Sequence, residues 1–313
     1  MRNQLNELLG HEKVQEQVDL FPYLSMRIHT KARYFFEAKS QEDLLHAIQT
    51  SSQLKLPLIM LGGGSNMVFY KPIIEGLVVK NNFSDIKMVA ETTDEVDVEV
   101  GSGTSMAQLI QYLSKKGYSG LEYQKGLPGT VGGAVYMNSK WTHPLSYVGD
   151  SVLSGILADN QGVEKKVEKG YFAFDYDYSS LQKTHEFVIS VTFRFKKTDP
   201  QTVSQRAQEA LEYRSKTQPQ GKSTCGCFFR NISEKEQQEH KLPTKSAGYL
   251  IEQVGMKGKS VGSFVVSDVH ANFIINTGGN SRSEDLQQLA LLIKGKVRRQ
   301  FGIELIEEVE IKQ

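Results

Sequence analysis

The chain has 313 residues, enough for two domains with a substantial core. Hydrophobic residues make up 39% and charged residues 23%, and a formal net charge of +1 gives no electrostatic case for nucleic acid or an anionic membrane as partner. No apolar run is long enough to span a bilayer, and the N-terminus lacks the apolar core of a signal peptide, so the cytoplasm is the expected compartment.

Residues 1–20 read as a lead-in, an amphipathic helix with Leu5, Leu8, Leu9 and Val14 on one side. A short strand at Tyr34–Ala38 runs to Ser40, an N-cap with Glu42 and Asp43 behind it, and Leu44, Leu45, Ala47 and Ile48 give that helix its buried face. The apolar run Leu56–Leu61 is a buried strand that completes a strand–helix–strand unit. Gly76–Lys80 is another strand, and Val96, Val98 and Val100 alternate with Asp97 and Glu99 in a half-buried one. Met106, Leu109, Ile110 and Leu113 have helical spacing, closed by Gly117.

Strands follow at Val152–Leu157 and, beyond a turn at Asn160-Gln161-Gly162, through the alternating Phe187, Ile189, Val191, Phe193 and Phe195. Asp199 as cap and Pro200 at the first helical position start a helix through Val203, Ala207, Ala210 and Leu211 and mark a boundary. Beyond it Ser246–Val254 is a helix stopped by Gly255, and Val261–Val266 and Ala271–Asn276 are strands. Ser283 starts a helix burying Leu286, Leu289, Ala290, Ile293 and Val297, and its basic end, Lys294 to Arg299, suits the helix dipole. Ile303–Ile311 is the closing strand. The organisation expected is a lead-in at 1–20, a first domain at 21–198 in two lobes divided near 75, and a second domain at 199–313.

Two glycine loops organise the first domain. Gly62-Gly63-Gly64-Ser65-Asn66 follows the strand ending at Leu61, and Gly126-Leu127-Pro128-Gly129-Thr130-Val131-Gly132-Gly133-Ala134 opens a short helix. With so little side chain in the way, backbone amides can approach a ligand closely. Thr130 as N-cap would set the amides of a helix from Val131 to Met137 at a helix N-terminus, where phosphate oxygens bind. A glycine-rich turn packed on its neighbours has the same composition, but two such loops in one folding unit point to a large phosphorylated ligand, for which a dinucleotide is big enough. Neither loop is a P-loop and neither is the Gly-x-Gly-x-x-Gly of a Rossmann unit. Cys225 and Cys227 stand too close together to staple a fold, and Cys-x-Cys without a second Cys or His pair is a weak metal signal.

Further stretches add to these loops: Gly120-Leu121-Glu122, Asn138, Gly226-Cys227-Phe228-Phe229-Arg230-Asn231, Ala247 to Glu252, His270-Ala271-Asn272-Phe273 and Phe301-Gly302-Ile303-Glu304-Leu305. In this order, from about His29 to the C-terminus, the chain resembles the UDP-N-acetylenolpyruvoylglucosamine reductase (MurB) family, in its compact branch without a large tyrosine-bearing loop. The resemblance implies an α+β protein: a two-lobed FAD-binding domain of the vanillyl-alcohol-oxidase (PCMH) type, then an α+β substrate-binding domain. FAD would lie with its diphosphate on Gly62, Gly63, Gly64, Ser65 and Asn66 and on Gly126, Pro128, Gly129, Thr130, Gly132, Gly133 and Ala134. NADPH would reduce FAD, and hydride would pass to the enolpyruvyl carbon β to the carboxylate while an acid protonates the α-carbon. A small sugar nucleotide is then the partner, with no nucleic acid, membrane or metal, and the chain is expected to act as a monomer.

The resemblance also places roles. The proton donor of the Gly-Ser/Cys-x-Phe motif falls on Cys227, and a thiol, with a reference pKa of about 8.5, gives up its proton more readily than a hydroxyl. A small buried hydrophobe is the other reading of such a cysteine, and the one that suits Cys225. The family's glutamate in Leu-Glu-x-Glu-Val falls on Glu308, with Glu307 on the opposite strand face. Lys216, Arg230 and Asn231 match substrate-binding positions. One departure stands out: Phe174-Asp175-Tyr176-Asp177-Tyr178-Ser179 carries Asp177 where the family has an arginine that helps to hold the substrate. An aspartate there would repel a carboxylate, and Arg33 and Arg230 are the candidate substitutes. A flavoenzyme of the same fold with another substrate, or a flavin-binding protein without catalysis, are the competing readings.

Overall fold

The computed structural model describes residues 1–10 and 13–312. Helix α1 (Arg2–Leu9) buries Leu5 and Leu9 and ends at Gly10, where φ is 105°. Strand β1 (Gln15–Asp19) follows, so the expected lead-in helix is a helix only in its first half, and Leu8 is exposed. Residues 11 and 12 of that stretch lie outside the described residues. After β2 (Lys31–Ala38) comes α2 (Gln41–Gln53), whose cap is Ser40: its Oγ accepts the Asp43 N–H at 3.1 Å. Then come β3 (Leu58–Leu61), β4 (Met67–Phe69), β5 (Ile73–Asn81), β6 (Ile86–Glu91) and β7 (Glu95–Gly101). Helix α3 (Met106–Lys116) is capped by Ser105 and closed by Gly117 at φ 74°, a left-handed turn that glycine adopts without strain.

Next are β8 (Tyr118–Ser119), α4 (Val131–Tyr136), β9 (Lys140–Thr142), β10 (Leu145–Tyr147), β11 (Val152–Ala158), β12 (Glu164–Glu168), α5 (Leu181–Thr184) and β13 (Phe187–Lys197). Asp199 caps α6 (Pro200–Thr217) by accepting the Thr202 N–H at 2.8 Å. The rest comprises α7 (Glu234–Glu239), α8 (Ala247–Gln253), β14 (Ser260–Val261), β15 (Phe264–Val266), β16 (Ile274–Asn276), α9 (Ser283–Phe301) and β17 (Glu310–Lys312). The expected strand at Val261–Val266 is two strands of a hairpin, turned at Gly262 with φ 55°. The expected closing strand is laddered only over β17 and at one bridge, Phe229 to Glu307.

Two compact units emerge, interleaved along the chain. The first takes Met1–Val18, Ala32–Gly63 and Glu75–Arg214. One of its sheets has the order β1-β2-β5-β3, with β3 parallel to β5 and Leu61 opposite Lys80. Its other sheet, β12-β11-β13-β7-β6 with β8 also on β13, is antiparallel. Here Val191, Phe193 and Phe195 of β13 and Val96, Val98 and Val100 of β7 pack under Leu109, Ile110 and Leu113 of α3, as the period-2 and helical patterns required.

The second unit takes Asp19–Lys31, Gly64–Ile74 and the chain from Ser215 onward. Its core joins Phe228, Leu250, Ile251 and Phe264 to the α9 stripe Leu286, Leu289, Ile293 and Val297. The parallel pairing of β17 with β4, Glu310 opposite Met67 and Lys312 opposite Phe69, is one tie that holds residues 64–74 to the C-terminal part. Both units mix helices and antiparallel strands, so the fold class is α+β.

Candidate active site

In the first unit the two glycine loops meet backbone to backbone. A Cβ on Gly63 would stand 2.5 Å from the Gly129 Cα, and one on Gly62 would stand 2.5 Å from the Thr130 Oγ1. Glycine is therefore required here for loop-to-loop contact as well as for ligand access. Thr130 occupies the N-cap position of α4, but its side chain makes no cap bond and its hydroxyl faces Gly62. The Val131 and Gly132 amides, which the sequence pattern aims at a phosphate, are donated instead to the carbonyls of Thr104 (2.9 Å) and Ser102 (2.8 Å). Those carbonyls lie nearly thirty residues earlier in the chain, which is why the local pattern does not reveal them.

Open backbone remains at the exposed Gly63 and Gly133, where a Cβ on Gly133 would meet nothing nearer than the Thr130 Oγ1 at 3.8 Å. Pro128 is exposed, Gly126 (φ 83°) lies against Leu211 and Arg214, and Ala134 is buried. Beside this cradle the Lys80 Nζ donates to the Gly62 carbonyl at 2.6 Å. Exposed glycine backbone next to an ammonium group fits the diphosphate of a dinucleotide.

In the second unit Gly64 has φ 60°, and its carbonyl accepts from the Ser25 N–H (3.0 Å) and Oγ (3.2 Å). Ser65 is half-buried. Asn66 reaches the C-terminal segment: the Glu310 N–H donates to the Asn66 carbonyl at 2.9 Å, and the Asn66 Nδ2 donates to the Glu308 carbonyl at 3.4 Å.

The segment 227–230 runs between two others. Cys227 bridges Phe273, the Phe228 N–H donates to the Asn272 carbonyl at 2.8 Å, and the Glu308 N–H donates to the Phe228 carbonyl at 2.9 Å. Cys227 and Glu308, far apart in sequence, thus lie on neighbouring extended segments, both half-buried. Glu307 turns away to Lys294 of α9, 3.1 Å from both carboxylate oxygens, as strand alternation requires. Burial, with a smaller contribution from the Glu308 charge, pushes the Cys225 thiol up to about 12, which keeps it protonated and inert.

Asn272, whose role the sequence pattern alone does not disclose, holds this arrangement. Its buried side chain accepts the Phe229 N–H at 3.0 Å and donates to the Phe229 carbonyl at 2.7 Å, doing the work of a missing strand. Burial lowers the pKa of the neighbouring His270, and its Nδ1 accepts the Asn272 N–H at 3.3 Å. Arg230 anchors its own N–H on the Ile306 carbonyl, whereas its buried Nε has no acceptor among the described residues. Asn231 accepts the Ala247 N–H at 3.0 Å, and Lys216 is exposed in the last turn of α6.

Asp177 is neutralised within the first unit. The Lys140 Nζ lies 2.6 Å from both of its carboxylate oxygens and 3.8 Å from the centre of the Tyr176 ring. Side-chain exposure is 15% for Lys140 and 5% for Asp177, so this is a buried pair. Arg33, one expected substitute, is instead exposed and paired with Glu75 at 3.1 Å. No local motif links Lys140 to Asp177, since 37 residues separate them.

Residues 32–167 match the model of an FAD binding domain, and residues 218–312 match that of the UDP-N-acetylenolpyruvoylglucosamine reductase C-terminal domain. The UDP-N-acetylenolpyruvoylglucosamine reductase of Chlamydia trachomatis is 37% identical over 298 residues, covering 95% of this chain and 96% of the relative. The chain belongs to the UDP-N-acetylenolpyruvoylglucosamine reductase family. The family member from Protochlamydia amoebophila is 33% identical, covering 89% of this chain and 87% of its own. The solved structure of the family's enzyme from Thermus caldophilus superposes with a TM-score of 0.77 at 26% identity, over 95% of this chain and 98% of that one. A glucooligosaccharide oxidase from Acremonium strictum, at 14% identity and a TM-score of 0.50, shares the flavoprotein fold alone. The reductase-family chain thus carries an FAD-binding domain followed by the family's C-terminal domain.

Proposed function

We propose that the chain reduces the enolpyruvyl group of UDP-N-acetylenolpyruvoylglucosamine to UDP-N-acetylmuramate for peptidoglycan synthesis, with NADPH as reductant, FAD as cofactor, and Cys227 and Glu308 as the groups that handle the proton. Identity over nearly the whole length of a relative supports the reaction, and the pairing of the Cys227 segment with the Glu308 segment supports the assignment of the pair. FAD, when bound, supplies the hydride that it has taken from NADPH. Negative charge then develops on the α-carbon and carboxylate of the substrate, and the site must stabilise it and deliver one proton.

The Cys227 thiol is the proposed proton donor to the α-carbon. The half-buried Glu308, across the ladder from Phe228, acts with the donor as the enolate forms. Arg230, whose buried Nε lacks an acceptor among the described residues, suits a phosphate or carboxylate oxygen, and Lys216 and Asn231 complete the proposed substrate contacts. Lys140 cancels the charge of Asp177, so the position that the resemblance gives to an arginine holds a neutral pair in place of a repelling carboxylate. The glycine loops, from Gly62 to Asn66 and from Gly126 to Ala134, are the proposed FAD contacts. We assign cofactor binding to residues 21–198, as two lobes divided near 75, and substrate binding to 199–313. The enzyme is proposed to act as a cytoplasmic monomer on a small sugar nucleotide; among the described residues no helix is long and apolar enough to cross a membrane.

The test is anaerobic. Protein bleached by a limited amount of NADPH should regain its visible flavin band when the enolpyruvyl sugar nucleotide is added. The Cys227→Ala variant should still bleach with NADPH but lose turnover by about 100-fold or more, the usual worth of a positioned acid. A wild-type flavin that stays bleached would refute the reaction, and unchanged turnover in Cys227→Ala would refute the donor.

A further inference from the structure

We infer that Lys80 is a positioning residue for the FAD diphosphate: it pins the Gly62 carbonyl so that the Gly63 N–H faces the phosphate oxygens, and its own charge adds to their attraction. The inference rests on FAD as the cofactor and not on which substrate is reduced.

Three observations carry it. The first is geometry. Lys80 is the last residue of β5 to pair with β3, opposite Leu61, so its side chain starts beside the point where β3 delivers the chain into the first glycine loop. From there the Nζ donates to the Gly62 carbonyl at 2.6 Å, a short charge-assisted hydrogen bond. In a planar trans peptide the carbonyl and the next N–H point in opposite directions. A Gly62 carbonyl held towards Lys80 therefore directs the Gly63 N–H to the other side, and Gly63 is exposed.

The second observation is charge. Among the described residues no carboxylate pairs with Lys80; Glu37 contributes only at a distance and accepts instead from the Asn82 side chain at 3.2 Å. Burial lowers the Lys80 pKa, which is the mark of a cation partly withdrawn from water without a counter-ion. A half-buried ammonium that answers only a carbonyl is expensive unless an anion completes it.

The third is what the neighbouring helix does not supply. Two of the leading α4 amides, those of Val131 and Gly132, are already donated to Thr104 and Ser102. The phosphates must draw on other donors, and the peptide that Lys80 orients packs directly against Gly129 of the second loop. No motif in the sequence marks Lys80, because the bond is made to a carbonyl and so leaves no trace in the residue types of the loop.

The experiment titrates FAD and riboflavin separately into apoprotein and follows quenching of flavin fluorescence. Lys80→Met should weaken FAD binding by about 10- to 100-fold, the worth of one charge-assisted hydrogen bond, and make it less sensitive to salt. Riboflavin, which has no phosphate, should bind Lys80→Met within about 3-fold of wild type, and Lys80→Arg, which keeps charge and donors, should bind FAD within about 3-fold. FAD binding unchanged in Lys80→Met would overturn the inference. So would equal losses for FAD and riboflavin, because that pattern marks a general structural role. Neither outcome bears on the reductase reaction, which the wild-type reoxidation experiment decides alone.

Discussion

Removing one charge from the Lys140–Asp177 pair has a consequence that can be sized from the structure. Asp177→Asn keeps the shape of the side chain and, because asparagine tolerates a positive φ, it keeps the backbone at φ 48° without new strain. What changes is that the Lys140 ammonium, 15% exposed, loses a carboxylate that lies 2.6 Å away. Breaking a buried pair by removing one partner costs roughly 3–5 kcal/mol. The lower end applies, about 3 kcal/mol, because the ammonium keeps some solvent and the Tyr176 ring beneath it. With a urea dependence of about 2–3 kcal/mol per molar, the midpoint should fall by roughly 1–1.5 M. The chain's single tryptophan is Trp141, buried beside Lys140, so its fluorescence reports unfolding at the pair itself. Using apoprotein keeps flavin linkage out of the measurement. The double variant Lys140→Met with Asp177→Asn, which leaves no charge behind, should recover more than half of the loss. A shift under about 0.3 M for Asp177→Asn, or a double variant no more stable than the single, would refute the reasoning.

Two more predictions concern positions away from that pair. Asn272→Ala leaves both backbone groups of Phe229 without partners in a buried position, and should cost about 2–4 kcal/mol. The check is hydrogen exchange at residues 227–230, and protection equal to wild type would contradict the clamp. Asp97 accepts two hydrogen bonds from Arg194, both at 2.8 Å, which hold its carboxyl below the usual range. Its folded pKa being the depressed one, its contribution is fully present above the unfolded value near 3.9 and is lost as pH falls through the folded value. Arg194 is half-exposed, so the effect is modest and screened. Asp97→Asn should flatten the fall in Trp141-reported stability below about pH 4 and leave its slope near pH 7 unchanged. An acid limb as steep as that of wild type would count against the pair.

Much of the fold is legible because it is local. Ser40 three residues before Asp43, Asp199 before Pro200 and Gly117 after Leu113 each act within one turn of chain, and each does so in the structure. The alternation from Phe187 to Phe195 needs only the two-residue period of a strand to place Val191, Phe193 and Phe195 in the core. The cysteine and glutamate of the candidate site are visible through the motifs around them. The closing strand is less legible. A ladder needs a partner, and the partner of Glu310–Lys312 is Met67–Phe69, more than two hundred residues earlier.

What the sequence by itself determined is the capped helices and the alternating strands, the two glycine loops and the chemistry-bearing residue types, because propensity, capping and periodicity act over a few residues. Only the tertiary structure decided how those groups are used. It commits the Val131 and Gly132 amides to carbonyls of an earlier segment, aims Lys80 at the Gly62 carbonyl, sets Asn272 across Phe229 and places Lys140 on Asp177. Each of these is a polar group finding its partner across a long loop of chain. Burial makes an unmatched donor or charge costly wherever it lies, but the identity of the partner depends on packing that no short stretch encodes.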